Sequence, residues 1–229
     1  MKGIGARAAS RKREPALLTI LAPSDLLSEM VYGIITALAV TNALWFTLGG
    51  EESDAVVITA TILINAAWGF SDLIVFLLRS SVDKNAAYSD LHALKEMEDG
   101  DAREFIEDNL GGTIFSALGP SHKAKVVSDI HEYSKQTEPV RLPLDRWDYL
   151  GAVASMVIYV VSAIPILIPH IFFIGMLTPI VLSNIIGVVL MFFIGYVWAG
   201  RMRGPRFKSG MILAISGVVM IIVITLVGG

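Results

Sequence analysis

The chain has 229 residues, of which 54% are hydrophobic and 17% charged, and its mean hydropathy is +0.65. These values exclude an ordinary soluble domain, and the long uninterrupted apolar runs predict membrane-spanning helices. Cysteine is absent, which excludes disulfides and thiolate metal sites, and the formal charge of −3 hides a strong segregation of charge along the chain.

The N-terminal part of the chain predicts a basic tail followed by a pair of spans. Residues 1–24 hold five Lys and Arg. Within them, residues 15–21 predict either a short helix on the membrane surface or a disordered tail that follows anionic headgroups. A first span is predicted over about 26–48, and a polar turn at 49–54 leads directly into the second. Residues 25–78 therefore predict an antiparallel transmembrane hairpin.

The second predicted span, residues 55–78, is 24 residues long and carries a single charge, Asp72. Counting back from Asp72 by helical steps meets polar or small residues on one face: Gly69, Trp68, Asn65 and Thr61. A carboxylate in hydrocarbon costs roughly 2.5–3.5 kcal/mol, so Asp72 should face protein or water. It is either a cation ligand or proton carrier, or a structural carboxylate. Asn65 either extends a polar path or joins helices.

The start of the first span carries a second group of candidate residues. Glu29, Gly33 and Thr36 share one face, with Tyr32 beside them and Met30 offering a soft thioether. By itself, Glu29 is best explained as a carboxylate that reaches the membrane surface. Because the first two spans run antiparallel, however, Glu29 and Asp72 share one edge of the membrane, where both can face the entrance of a pathway.

Residues 79–147 break the apolar pattern, with nine basic and thirteen acidic residues. They predict a small cytoplasmic helical domain. A helix is expected over about 86–97, and another is opened by a capping box from Asp101 to Glu104 and ended by Gly111 and Gly112. A third, over about 122–135, is expected to be capped by Ser121.

One helix of this domain has a candidate metal-binding face. Glu104, Glu107 and Asp108 stand at spacings that bring their carboxylates together, and His131 with Glu132 can add an imidazole and a further carboxylate. The alternative is a solvated helix face with no ligand. No specific metal motif decides between the two.

Three further spans are predicted over about 147–168, 178–199 and 210–227, so residues 148–229 complete an all-α polytopic membrane protein with five spans. A basic link at 201–208 joins the last two. An N-terminus in the cytoplasm puts residues 1–24, 79–147 and 201–208 on one side. These hold five, nine and four basic residues, which are all 18 in the chain. By the positive-inside rule that side is cytoplasmic, and the C-terminus lies on the opposite side.

The known motifs of catalysis and of nucleic-acid binding do not occur in the sequence. It lacks a glycine-rich phosphate loop, the HExxH zinc motif and a nucleophile elbow. Aromatic and basic residues do not alternate in the patches that bind nucleic acid. The sequence therefore predicts a membrane protein that is not an enzyme and whose surroundings are the lipid bilayer.

Four short stretches of the sequence, taken together in their order and spacing, are characteristic. They are Tyr32–Thr36 (YGIIT), Asn65–Gly69 (NAAWG), the third span up to its IPILIP ending at Pro169, and the KSG that begins at Lys208. With the five spans, these stretches resemble the vacuolar iron transporter family. The resemblance implies a homodimer whose first spans line a central pathway. It also implies proton-coupled export of Fe²⁺ or Mn²⁺ from the cytosol, with no permanently bound cofactor.

The sequence departs from that family where the cargo would bind. Tyr32 replaces the family's aspartate, and Asp72 with Leu73 stands where a Ser-Met pair is expected. Three hypotheses follow. The chain is a divalent-cation carrier in which Asp72 replaces the missing aspartate, a membrane scaffold or sensor without transport, or a carrier of another ion, because oxygen ligands discriminate poorly among such ions.

Overall fold

The computed structural model describes residues 21–47, 54–138, 140–173 and 178–228, and within these ranges every regular element is a helix. The α-helices are α1 (Pro23–Thr47), α2 (Asp54–Glu96), α3 (Asp99–Asn109), α4 (Pro120–Gln136), α5 (Arg146–Phe172), α6 (Thr178–Arg201) and α7 (Arg206–Gly228). A short 3-10 helix, Ile114–Ala117, lies between α3 and α4. Of the predicted surface helix at 15–21 and the predicted polar turn at 49–54, residues 15–20 and 49–53 lie outside the described residues.

Five helices, α1, α2, α5, α6 and α7, are long and apolar enough to cross a membrane. This confirms the all-α prediction with five candidate spans and indicates an integral membrane protein. The predicted ends of the first span, near 26 and 48, lie within three residues of those of α1. Each of the last three candidate spans begins or ends a few residues beyond its prediction, because the helices continue into the flanking polar sequence.

The chain divides into two compact units. The membrane unit comprises the chain up to Phe76 and from Arg146 onward, and the intervening unit comprises Leu77–Asp145. Helix α2 contributes its first half to the membrane unit and its second half to the intervening unit.

The length of α2 differs from the prediction. We expected the span to end near 78 and a separate helix to follow at 86–97, whereas α2 is one helix of 43 residues. The reason is that no Gly or Pro occurs between Phe70 and Glu96, so nothing in the backbone ends the helix where the sequence turns polar.

The core of the membrane unit lies between α1, α5 and α6. Its buried members are Leu27, Val31, Ile34, Ala37, Leu38, Ala163, Ile166, Met191 and Ile194. Glycines let the helices approach closely. A Cβ atom at Gly33 of α1 would collide with the carbonyl oxygen of Tyr159 on α5, and one at Gly195 of α6 would lie 2.6 Å from the carbonyl oxygen of Ser209 on α7. Small residues at such crossings are typical of packed membrane helices.

The intervening unit has its own small core of Leu94, Ala102, Ile106, Phe115 and Val127. Two predicted caps in it are wrong. The N-cap of α3 is Glu98, so the helix begins before the predicted capping box. The N-cap of α4 is Gly119 with Pro120 in the first turn, where the fixed φ of proline suits a helix start without Ser121. The predicted glycine ending of α3 is present, since Gly112 has φ +77°.

Candidate cation and proton site

A pair of carboxyl groups lies between three helices of the membrane unit. The carboxyl of Glu29 on α1 lies against the carboxyl of Asp72 on α2 and the hydroxyl of Ser155 on α5. Glu29 is only 7% exposed, which corrects the expectation of a carboxylate that reaches the membrane surface. The antiparallel course of the first two spans therefore does bring Glu29 and Asp72 together. They meet inside a single chain, with α5 as the third wall.

This cluster has unused hydrogen-bonding capacity. Glu29 Oε2, Asp72 Oδ2 and Ser155 Oγ are buried, and beyond the contacts of these three residues with one another none of these atoms has a hydrogen-bond partner in the part of the chain that the structure describes. Buried polar atoms nearly always have a partner, so three neighbouring exceptions mark a place where a proton, water or a cation fits. Two adjacent carboxylates also repel each other when both are ionised, and a bound proton or cation removes that repulsion.

A pair of hydroxyl groups lies next to the carboxyl pair along the same two helices. Thr36 Oγ1 and Tyr159 OH are 2.7 Å apart, and the two residues follow Glu29 and Ser155 by seven and four positions. The predicted face of Glu29, Gly33 and Thr36 is thus the face of α1 that packs on α5. The absence of a side chain at Gly33 is what allows this contact.

The predicted polar face of α2 is buried, with one exception. Thr61 and Asn65 are fully buried, whereas Trp68 is 59% exposed. The donors of this face bond to carbonyls of their own helix, Asn65 Nδ2 to Thr61 O at 2.9 Å and Thr61 Oγ1 to Val57 O at 2.7 Å. Asn65 Oδ1 keeps no partner among the described residues. The face therefore offers a free acceptor in the interior of the unit.

Two of the predicted pathway residues do not join the carboxyl pair. Tyr32, at the position of the aspartate expected from the resemblance, is 53% exposed. Met30 packs against the apolar core of the membrane unit. The contacts that define the carboxyl pair, those of Glu29 with Asp72 and Ser155, involve neither side chain.

The predicted metal site of the intervening unit is not assembled. Glu107 pairs with Arg103 one turn earlier on α3 at 3.0 Å, and Glu104 and Asp108 are exposed. Among the described residues no three His, Asp or Glu side chains converge as metal ligands would. The structure therefore favours the alternative of a solvated helix face, in which Arg103 at i−4 pairs with the central carboxylate, Glu107.

His131 and Glu132 of α4 have other partners instead. His131 Nδ1 is 3.7 Å from Asp99 Oδ1, and Lys135 Nζ is 2.8 Å from the same oxygen. The hydrogen bond and charge of Lys135, with His131 nearby, hold the pKa of Asp99 below its ordinary value of 3.8. Glu132 accepts a hydrogen bond from Gln136 at 3.2 Å.

Sequence reasoning missed a second buried polar pair in the membrane unit. His170 Nδ1 of α5 lies 2.8 Å from Asp54 Oδ1 of α2, and His170 is 1% exposed. A helical signal was present, because Asp54 precedes Asp72 by 18 residues, about five turns, and so shares its face of α2. An amide pair was also missed, in which Asn42 and Asn184 donate to each other at 2.7 and 2.9 Å.

Comparison with known proteins identified no relative of this chain among protein families or curated proteins. No protein-family model matches the chain, and no curated protein matches it significantly. The carboxyl pair is therefore the main basis for a function, and the motif resemblance is the second.

Proposed function

We propose that this protein carries divalent cations, Fe²⁺ or Mn²⁺, out of the cytosol in exchange for protons. The observation that supports the proposal is the carboxyl pair of a buried Glu29 and a half-buried Asp72 between apolar helices, in which each residue has one buried oxygen without a further hydrogen-bond partner among the described residues. Charged groups inside membrane proteins are costly and typically mark ion or proton pathways.

The chemistry of the pair suits exchange of a cation for protons. Carboxylate and hydroxyl oxygens are the ligands that hard and borderline divalent cations accept, and Glu29, Asp72 and Ser155 supply three such groups. A cation and a proton neutralise the same carboxylates, so binding of one favours release of the other. That competition is the coupling an antiporter needs. Water, or a second copy of the chain in the expected homodimer, supplies the remaining ligands.

Charge distribution supports the orientation that the proposed export requires. With all 18 basic residues on one side, the start of α1 with Glu29 and the part of α2 near Arg79 with Asp72 lie toward the cytosol. Asp72 lies seven residues before Arg79, about 10 Å along the helix, which places it just inside the membrane. The carboxyl pair is then the entrance for cytosolic cations.

Flux through proteoliposomes tests this function. The purified chain is reconstituted, and Mn²⁺ or Fe²⁺ movement is followed under an imposed proton gradient. In Asp72→Asn we expect flux to fall at least about tenfold, the effect of losing about 1.4 kcal/mol of cation binding. Glu29→Gln should act in the same direction, because it also removes one charge from the pair.

The matched control is Asp83→Asn, which makes the same charge change on an exposed residue of the same helix and should leave flux unchanged. Undiminished flux in Asp72→Asn would refute the role of the pair. Absence of flux in the parent protein would refute the transport function.

A second candidate function is a membrane scaffold or sensor that does not transport. It is favoured by Tyr32, which puts a half-exposed phenol where the resemblance calls for a carboxylate. Calorimetry with Mn²⁺ on the full chain separates the two candidates. A scaffold binds no divalent cation at the pair and gives no Asp72-dependent heat, whereas the carrier gives heat that Asp72→Asn removes.

A further inference from the structure

Buried polar atoms without partners are concentrated in the membrane unit. Of the six such atoms in the described part of the chain, five belong to this unit: Glu29 Oε2, Asp72 Oδ2, Ser155 Oγ, Asn65 Oδ1 and His170 Nε2. The first three form the carboxyl pair and its neighbour. The last belongs to the Asp54–His170 pair, which the proposed function does not use.

The two acidic sites lie at opposite ends of one helix face. Asp72 and Asp54 are separated by 18 residues of α2, which is about 27 Å and close to the thickness of the hydrocarbon core. Between them, Asn65 and Thr61 are fully buried on the same face. The partner of Asp54 lies on α5, the helix that also supplies Ser155 to the carboxyl pair.

The hydrogen bond between His170 and Asp54 bears on which ring nitrogen of His170 carries the hydrogen. An ionised Asp54 carboxylate can only accept this 2.8 Å hydrogen bond, and in a neutral ring the hydrogen then lies on His170 Nδ1 and Nε2 keeps a lone pair. Nε2 is buried without a partner among the described residues. A proton from water can bind there, and the adjacent carboxylate stabilises the resulting imidazolium.

No competing charge is present at this end of the described helices. In 41–47, 54–61, 166–173 and 178–184 the only titratable groups are Asp54 and His170. The nearby polar groups are neutral: Ser183 Oγ donates to Ile166 O at 2.6 Å, and Asn184 is paired with Asn42. A change of charge at His170 is therefore balanced by Asp54 alone among these residues.

We propose that the Asp54–His170 pair is a second, proton-binding site, which lies on the same buried face of α2 as the Glu29–Asp72 pair and is separated from that pair along the face. Val57, 2% exposed, lies on this face between Thr61 and Asp54 and forms a dry section that prevents a continuous proton leak. The proton passes from water to Nε2 and returns from the imidazolium to water at the far end. This role in exchange rests on the proposed function, but the binding site itself does not.

The first experiment uses the parent protein and does not depend on transport. Hydrogen–deuterium exchange at the imidazole C2 carbon is followed by mass spectrometry on the full chain in lipid nanodiscs. We expect His170 to incorporate deuterium with a sigmoidal dependence on pH, because a ring that reaches water and titrates does so. No incorporation, or a rate that does not change with pH, would overturn the proposal.

The second experiment measures coupling in proteoliposomes. His170→Gln keeps a donor for Asp54 but cannot take up a proton. We expect Mn²⁺ flux in this variant to lose its dependence on the pH of the far side, while the KM for Mn²⁺ on the cytosolic side stays unchanged. The matched control, Ser183→Ala, removes a buried polar group at the same end and should keep the pH dependence of the parent.

The outcomes separate the two proposals. If the parent carries no cation, the proposed transport function fails, and the exchange experiment alone decides about His170. If the parent carries Mn²⁺ and His170→Gln keeps the full dependence on far-side pH, the role of His170 in coupling is refuted and the transport function stands.

Discussion

Two carboxylates of this chain show how surroundings decide the role of one residue type. Asp99 lies on the surface beside Lys135, and that charge favours its ionised form. Asp72 lies beside another acid, Glu29, among apolar helices. The first arrangement is satisfied by the protein itself. The second leaves buried carboxyl oxygens without a further partner among the described residues, and this difference makes Asp72 the functional candidate.

At the scale of residues, Asp99 gives a prediction about pH. Because its pKa is lower in the folded state than its ordinary value of 3.8, its stabilising contribution is complete well above pH 3.8. That contribution is lost as pH falls below 3.8 and through the folded-state pKa. We therefore expect α3 and α4 to loosen over this range, measured as faster amide hydrogen exchange after correction for intrinsic rates.

The substitution Asp99→Asn should remove this dependence, since the ion pair with Lys135 then no longer titrates. Asp101→Asn is the matched control, because it neutralises an exposed acid in the same first turn of α3. The explanation fails if the loosening in acid is the same in Asp99→Asn as in the parent.

At the level of helices, the close crossing of α1 and α5 positions the carboxyl pair. Gly33 lets α1 approach the backbone of Tyr159, and the same contact brings Thr36 Oγ1 to 2.7 Å from the Tyr159 hydroxyl. Glu29 lies one turn before Gly33 on the same face, where it meets Ser155. The carboxyl pair therefore depends on how closely these two helices pack.

The substitution Gly33→Ala tests that dependence. The added methyl would collide with the carbonyl oxygen of Tyr159, so the helices must move apart, and overpacking of this kind costs about 1–3 kcal/mol. We expect a lower thermal unfolding midpoint for the full chain in detergent. In Gly100→Ala the new methyl meets no atom within 4 Å, so this control should unfold like the parent. An unchanged midpoint in Gly33→Ala would contradict the close crossing.

At the scale of the whole molecule, the segregation of charge predicts topology. All 18 basic residues lie in residues 1–24, 79–147 and 201–208, which the positive-inside rule puts on the cytoplasmic side. Three predicted spans separate residues 79–147 from the C-terminus, so these two parts of the chain are expected on opposite sides of the membrane. The chain has no cysteine, which makes single-cysteine labelling unambiguous. The parent protein is its own unlabelled control.

We expect a membrane-impermeant maleimide to label Val227→Cys in intact cells, because that exposed residue lies near the end of α7 that the positive-inside rule puts outside the cytoplasm. Asp101→Cys, in the intervening unit, should react only after the membrane is opened. Labelling of Asp101→Cys in intact cells would reverse the orientation, and the carboxyl pair would then face away from the cytosol.

Local sequence was enough to predict the elements of this protein. An apolar run of about 20 residues is long enough to cross a membrane as a helix, so the five candidate spans could be predicted directly from the sequence. Helix ends were less certain, as the uninterrupted α2 and the caps at Glu98 and Gly119 show, because several neighbouring residues can start or stop a helix.

The functional pairs were decided by tertiary structure. The polar face of α2 follows from helical spacing, but whether Asp72 meets Glu29, lipid or solvent depends on the rotation and contact of α1, α2 and α5. His170 offered no local pattern at all, and only the packing of α5 against the start of α2 brings it to Asp54. Periodicity is a property of one helix, whereas a site is a property of the distance between helices. By itself, therefore, the sequence determined the candidate spans and the segregation of charge, and the fold decided which polar groups come together.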